Sequence, residues 1–489
     1  MPQKPVKRAR KLDLSDFDAF VKRQLRDWNV PGAAVVIVRD GQVVLSRGYG
    51  SRNLRKRLPV TPDTVFPIAS VTKAFTTMAL GMLVDEGKLD WDKPVREYLP
   101  EFQLHDPVAT ERTTPRDLAC HRTGVPRHDR TWYYTNYDRY SLVKRLRHLP
   151  PSKDFRSCYQ YNNLMYTTCG VLIERVSGST WEEFTTERIL KPLGMTHTSF
   201  HIADLGKMPD VALAYMERNG KLREVPYRSL DGVTACGSIN SSVNDMAEWL
   251  KLHLAKGKRG RKALISGKTL ADMHAPHVVV PGPYPHPEIP MSAYGLGWSV
   301  SPYRGLLRVT HSGGIDGFST RLSFAPSLGL GLVVLTNRSG NPIPAILELS
   351  LYDRVLGGER INWSARFKKE RREAEKKEKE EKRKRAAERI KGTRPSHPLA
   401  DYAGRYEHPG YGIIEVTRKG RNLFARYELL EATLEHYHYD TFTLRDTHRD
   451  WSMMVTFAVD ANGSISGLSA PMEPALPPAT FARAKQQQE

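Results

Sequence analysis

One stretch of the sequence sets a nucleophile and a base at helical spacing. Ser70-Val-Thr-Lys73 opens a run from Phe66 to Glu86 in which Phe75, Met78, Ala79, Met82 and Leu83 recur at threes and fours. Asp85-Glu86-Gly87-Lys88 supplies the stop. With a helix beginning near Ala69, Ser70 and Lys73 lie one turn apart on one face, the amine within reach of the hydroxyl. Ser70 then also sits at the positive end of the helix dipole, where an alkoxide or oxyanion is stabilised. A bare Ser-x-x-Lys is more often a helix N-cap followed by a solvated lysine, so catalysis requires further partners.

Two later stretches supply them. Cys158-Tyr-Gln-Tyr161-Asn-Asn163 precedes a helical pattern through Tyr166, Gly170, Ile173, Glu174 and Val176 to Ser177-Gly178. A phenol there takes the serine proton if nearby cations lower its pKa, which Lys73 would do; otherwise Tyr161 is an ordinary half-buried tyrosine. Asn163 offers an amide to a substrate carbonyl. Thr310-His311-Ser312-Gly313-Gly314 lies between two strand-like runs. Its glycines imply close approach of another backbone, read here as the substrate's. The alternative is a bulge at Gly313-Gly314 beside a satisfied strand histidine. His121, in Cys120-His121-Arg-Thr-Gly124-Val-Pro126, has the chemistry of a general base, but beside turn residues the stronger reading is hydrogen-bonded scaffolding.

The elements that must position these groups follow from period. Leu14, Phe17, Val21, Leu25 and Trp28 trace one helical stripe, ended by Asn29-Val30-Pro31-Gly32. Ala33 to Val38 and Gln42 to Ser46 are strands joined at Asp40-Gly41, a strong hairpin signal. A short helix falls within Trp91 to Leu99, another starts at Thr114-Pro115, and Val243 to Leu254 is a helix capped from Asn240, Ser241 or Ser242. Gly331 to Asn337, nearly all β-branched or Leu, is a strand-like run. The pattern argues for a sheet covered by helices rather than a βαβ array.

With 489 residues and 40% apolar content, two or three domains are expected. Much of the formal charge of +20 lies between Lys4 and Lys11 and between Arg366 and Lys391. In the second stretch both signs mix at spacings of three and four without interleaved aromatics. That predicts a solvated helix of about 40 Å acting as a spacer, and no nucleic-acid partner. Four cysteines make no disulfide framework, and no metal-ligand spacing or cofactor motif is present, so no metal or cofactor is expected. The basic N-terminus leads into no apolar run, which predicts no export signal, no membrane span and a cytoplasmic location, or a periplasmic or secreted one if a leader precedes this start. After Pro395 and Pro398 short alternating strands predict a small β-barrel. There His436 and His438 face one side, two metal ligands lacking a third.

Taken together, Ser70-x-x-Lys73, Tyr161-x-Asn163 and His311-x-Gly313, in this order, resemble the three motifs of the class C β-lactamase and penicillin-binding-protein-like serine hydrolases. Val30-Pro-Gly-Ala-Ala, Leu118-Ala-Cys-His121-Arg-Thr-Gly124, Tyr294-Gly-Leu-Gly-Trp298 and Gly313-Gly-Ile-Asp-Gly317-Phe extend the resemblance over roughly Leu14 to Gly358. It implies an α+β fold, an antiparallel sheet flanked by helices with a helical lobe, and an acyl-enzyme mechanism. In that mechanism Ser70 attacks, and Lys73 and Tyr161 relay its proton. Asn163 and His311, with Ser312 and Gly313, orient substrate, and the amides of Ser70 and Gly314 form the oxyanion hole. His311 stands where typical β-lactamases carry a lysine for the drug's carboxylate, which makes the chain more like the D-amino-acid peptidase and esterase members. Tyr402-Ala-Gly404-Arg-Tyr406 and His436-Tyr-His438-Tyr-Asp-Thr-Phe442 resemble the lipocalin-like C-terminal domain of some of these peptidases, including archaeal self-compartmentalised ones. The expected division is a basic tail (1–13), a hydrolase domain (14–362), a charged linker (363–394) and a barrel (395–485). The expected activity is hydrolysis of a small or D-amino-acid-containing peptide, with an esterase, a weak β-lactamase or a silent scaffold as alternatives. The expected partners are a small-molecule or peptide substrate and, through the barrel, further copies of the chain.

Overall fold

In the computed structural model, which describes residues 12–357, 359–446 and 451–484, strand β1 (Gly32–Arg39) is buried along almost its whole length. Both its faces are covered: Ala34, Val36 and Val38 enter one core, Ala33, Val35 and Ile37 another. The chain turns through Asp40 and Gly41, with φ of 51° and 78°, as a two-residue primed turn requires, into β2 (Gln42–Asn53). These join β3 (Leu58–Pro59), β4 (Val278–Val280), β5 (Ser292–Tyr294), β6 (Ser299–Tyr303), β7 (Leu306–Ile315), β8 (Phe318–Ala325) and β9 (Leu330–Thr336). The sheet is antiparallel, in the order β4-β5-β6-β7-β8-β9-β1-β2-β3.

Helices α1 (Phe17–Asp27) and α5 (Ile343–Leu356) cover one face. On the other, α4 (Val243–Leu254) lies across β1 and β9, while α2 (Thr72–Asp85) packs against α3 (Asn163–Ser177) in a helical lobe. The α4 start is capped by Ser242 Oγ, which accepts from Asp245 N at 3.2 Å. On α5, the fully buried Glu348 is paired with Arg308 of β7 at 2.9 Å and with Arg321 of β8. Removing one partner of such a buried pair costs about 3–5 kcal/mol, so this contact fixes β7, the strand that borders the site.

The basic tail expected over 1–13 lies outside the described residues except for its last two. The charged helix is α6 (Trp363–Ala387), 25 residues and about 37 Å long. It starts within the hydrolase core, not beyond it: Trp363 is buried and its Nε1 donates to Asp353 Oδ2 at 3.1 Å. Past its far end, Arg389 Nε donates to Tyr437 O at 2.8 Å.

The C-terminal strands are β10 (Gly404–His408), β11 (Gly412–Lys419), β12 (Asn422–Tyr427), β13 (Leu430–His438), β14 (Thr441–Asp446), β15 (Trp451–Val459), β16 (Ile465–Ala470) and β17 (Ala479–Arg483). They form a closed antiparallel barrel in which β10 pairs with β17, its interior packed with Tyr402, Tyr406, Phe442, Phe457 and Phe481. A bulge between His436 and His438 breaks the alternation that would have put both on one side. Among the described residues no three His, Cys, Asp or Glu side chains group as a metal site, and no helix is long and apolar enough to cross a membrane. All four cysteines are free.

The barrel docks on the loop that follows Pro126. Glu473 Oε2 accepts from His128 N at 2.8 Å, and the Tyr411 hydroxyl donates to His128 Nδ1 at 2.6 Å. Tyr427 OH donates to Arg130 O at 2.7 Å, and Leu429 N donates to Tyr134 O at 3.1 Å.

Candidate active site

Helical structure opens at Ala69, where the sequence pattern put it, but as a 3-10 turn ahead of α2. Phe66–Pro67 pairs with Asn240–Ser241, Ala69 turns through a left-handed φ of 47°, and a single 3-10 turn, Ala69–Val71, carries Ser70 ahead of α2. Ser70 thus stands on a bend at the helix mouth. Lys73 follows in the first turn of α2, and its Nζ still reaches Ser70 Oγ at 3.1 Å. On the other side of that oxygen, Tyr161 OH donates at 2.9 Å from the residues just before α3.

Lys73 is fully buried and spends its three hydrogens on neutral acceptors: Ser70 Oγ, Asn163 Oδ1 at 2.8 Å and Cys236 O at 2.8 Å. Burial therefore pulls its pKa down to about 8, with Arg127 acting in the same direction and Cys236 and Asp129 against it. Tyr161 goes the other way. Its burial pushes the phenol well above its usual value, and the bond to Ser70 offsets only part of that. The expectation that Lys73 would lower Tyr161 is thus reversed, because desolvation of the phenol outweighs the effects that oppose it. At neutral pH Tyr161 is a proton donor, and Lys73 is the group poised to change charge.

Asn163 is committed as well. Its Oδ1 takes the Lys73 ammonium and its Nδ2 donates to Asp129 Oδ1 at 3.0 Å. The amide offered to a substrate in the sequence reading is first of all a bridge within the site.

His311 departs further from expectation. Its ring is buried, Nε2 accepts from Tyr294 OH at 2.8 Å, and Nδ1 donates to Ser312 O at 2.7 Å. Burial holds its pKa down at about 3, so the ring is neutral, with both nitrogens held by the protein. Ser312 is exposed on β7. Gly313 explains the close approach that its residue type foretold, but the neighbour is the nucleophile's own turn: a Cβ there would lie 2.1 Å from Ile68 O. Gly314 has open space before it and lines the cleft with Ser70. Pairing of β6 with β7 ends at Thr310, which leaves the β7 edge beside Gly314 free to meet a ligand. His121 is scaffolding: buried, with Nδ1 accepting from Asn162 N at 3.2 Å and its ring 4.4 Å from that of Tyr161.

Two residues of the site carry no motif signature. Arg127 pairs with Asp129 at 2.5 Å and lies over the Tyr161 ring at 4.8 Å, while Asp129 Oδ1 also accepts from Trp132 Nε1 at 2.8 Å. Their signal in the sequence is a pair of opposite charges two residues apart, directly after the Gly124-Val-Pro126 turn. With Ser70, Tyr133, Asn163 and Gly314 they line a cleft of about 140 Å³.

The comparisons with known proteins bear on the family. The family model described as Beta-lactamase matches residues 17–350, and the one described as Domain of unknown function (DUF3471) matches residues 388–483. The unguisins hydrolase of Aspergillus campestris is 32% identical over 430 residues, spanning 82% of this chain and 77% of that one. The octameric penicillin-binding protein homologue from Pyrococcus abyssi aligns with a TM-score of 0.62 at 25% identity, over 96% of this chain and 100% of that one. The D-amino acid amidase from Ochrobactrum anthropi shares the fold, with a TM-score of 0.58 at 23% identity over 70% and 98% of the two chains. The chain belongs to the β-lactamase family of serine hydrolases and carries an eight-stranded barrel domain at its C-terminal end.

Proposed function

We propose that this serine hydrolase cleaves amide bonds in small peptides, D-residue-containing ones included, through an acyl-enzyme on Ser70. The observation that carries the reading is the placement of Ser70 Oγ between Lys73 Nζ and Tyr161 OH. With a pKa near 8, roughly a tenth of Lys73 is neutral at pH 7. Neutral Lys73 takes the Ser70 proton as Oγ adds to the carbonyl, and the oxyanion forms against the amides of Ser70 and Gly314. Tyr161, still protonated, gives its proton to the departing amine and is resupplied from the Lys73 ammonium. Water then attacks the acyl-enzyme, its proton returning along the same pair, and Ser70 is regenerated.

The unguisins hydrolase supports a peptide substrate by its name, and the amidase neighbour motivates the D-residue arm of the test. A panel of D- and L-amino-acid p-nitroanilides, p-nitrophenyl esters and nitrocefin decides. Anilide turnover above nitrocefin turnover is expected. Ester turnover without any amide turnover favours an esterase. Nitrocefin turnover of roughly ten million per molar per second favours a β-lactamase. We extend the proposal to assembly: copies join through barrel surfaces, as the octameric state of the Pyrococcus relative suggests, and the mass in size-exclusion chromatography with light scattering tests it.

A further inference from the structure

The Ser70 cleft opens into a second, larger space. Arg127, Asp129 and Tyr133 line both, and beyond them a cavity of about 860 Å³ lies between the hydrolase domain and the barrel. Its walls are apolar or aromatic on both sides: Tyr134 and Met216 from the hydrolase domain, Leu430, Trp451 and Met472 from the barrel. A space of this size takes a ligand of several residues or of drug-like bulk.

The charges around it are, with one exception, satisfied by the protein. Asp129 holds Arg127, and Asp316 accepts from Arg228 at 2.9 Å and from the Tyr133 hydroxyl. Glu473 takes the amides of His128 and Ala475, and Asp446 is engaged as well. Arg130 is the exception. Its guanidinium lies 4.7 Å from the centre of the Trp451 ring across the domain boundary, and among the described residues its side chain donates no hydrogen bond and makes no ion pair. Partial burial lowers its pKa, with Tyr427, Tyr411 and Glu473 acting against that. Five unspent donors in a planar fork beside an aromatic ring match a carboxylate.

We propose that this cavity is the leaving-group subsite of the Ser70 site, and that Arg130 receives the C-terminal carboxylate of a peptide whose last side chains pack on Trp451, Met472 and Met216. The assignment rests on the peptide-hydrolase reading above. A terminal carboxylate belongs to the part of a peptide released as the amine, so Arg130 selects short peptides with a free C-terminus, and the barrel acts as a wall of the substrate site.

The test uses full-length Ser70→Ala protein, in which binding is read without turnover. Calorimetry compares an N-acetyl peptide ending in phenylalanine as the free acid, the same peptide as its C-terminal amide, and an amide ending in glutamate. The acid should bind at least about tenfold more tightly than its amide, the scale of one charge-assisted bond. Arg130→Gln in the same background should erase the difference, and Arg130→Lys should keep part of it. Trp451→Ala should weaken the acid and the amide alike. Equal binding of acid and amide, or a difference that persists in a folded Arg130→Gln protein, overturns the proposal, and a glutamate amide that binds like the acid overturns the terminal assignment. Labelling of wild-type Ser70 by a fluorophosphonate is the separate readout for the hydrolase reading, so a labelled enzyme indifferent to the terminal carboxylate sinks this inference alone.

Discussion

Lys73 and Asp129 make no ion pair: Asn163 stands between them, taking the ammonium on Oδ1 and giving an Nδ2 hydrogen to the carboxylate. The spacing matters because a carboxylate in direct contact would favour the charged amine and keep the base protonated. kcat/KM should therefore rise with pH through the Lys73 pKa of about 8. Asn163→Asp places a carboxylate at the ammonium, raises that pKa, and should move the rising limb upward by about one unit or more while lowering the rate at pH 7. A pH profile with p-nitroanilide substrate checks it; an unmoved limb means that Lys73 is not the titrating base.

In the proposed mechanism Tyr161, with its raised pKa, protonates the leaving group more than it activates Ser70. Tyr161→Phe should lower amide turnover by about a hundredfold or more, the scale for losing a proton-transfer group. Turnover of a p-nitrophenyl ester should fall much less, because its phenolate needs no proton to depart. Parallel losses on both substrates would return Tyr161 to the role of base.

How much of this was legible beforehand differs by residue. The Asp40-Gly41 hairpin and the α4 cap follow from local period and turn chemistry, and both are present. Ser70, Lys73, Tyr161 and Asn163 converge although 90 residues separate Lys73 from its Asn163 partner, a convergence that motif order implied and periodicity could not. Charge states were not legible, because they depend on burial. Lys73 and Tyr161 are each displaced mainly by desolvation, and His311 is turned inward by Tyr294, which no spacing in the sequence announces. Nor were Arg127 and Asp129, whose role comes from the turn that folds them against the Tyr161 ring.

His311 should make this enzyme a poor β-lactamase, since a buried neutral imidazole with both nitrogens engaged offers nothing to a drug's carboxylate. Nitrocefin turnover should stay far below anilide turnover. His311→Lys should not restore it, because the new ammonium would be buried near Lys73 and would leave Tyr294 without its acceptor. Its cost is at least about 1–3 kcal/mol from the orphaned hydroxyl alone, to be read as a lower melting temperature.

The barrel's grip on the Pro126 loop predicts an effect at long range. Glu473→Ala strands the buried His128 amide and loosens the segment bearing Arg127 and Asp129. KM for peptide should rise and the melting temperature should fall, while fluorophosphonate labelling of Ser70 continues. Loss of labelling in a folded Glu473→Ala protein would show that the barrel completes the chemistry itself.

Intact-protein mass spectrometry after fluorophosphonate treatment reads whether Ser70, activated by Lys73, is the nucleophile. Wild type should gain one adduct that maps to Ser70. Lys73→Ala should gain it at least about a hundredfold more slowly, and Ser70→Ala, still folded by circular dichroism, should gain none. An adduct of equal yield on Ser70→Ala would contradict the account and place the nucleophile elsewhere.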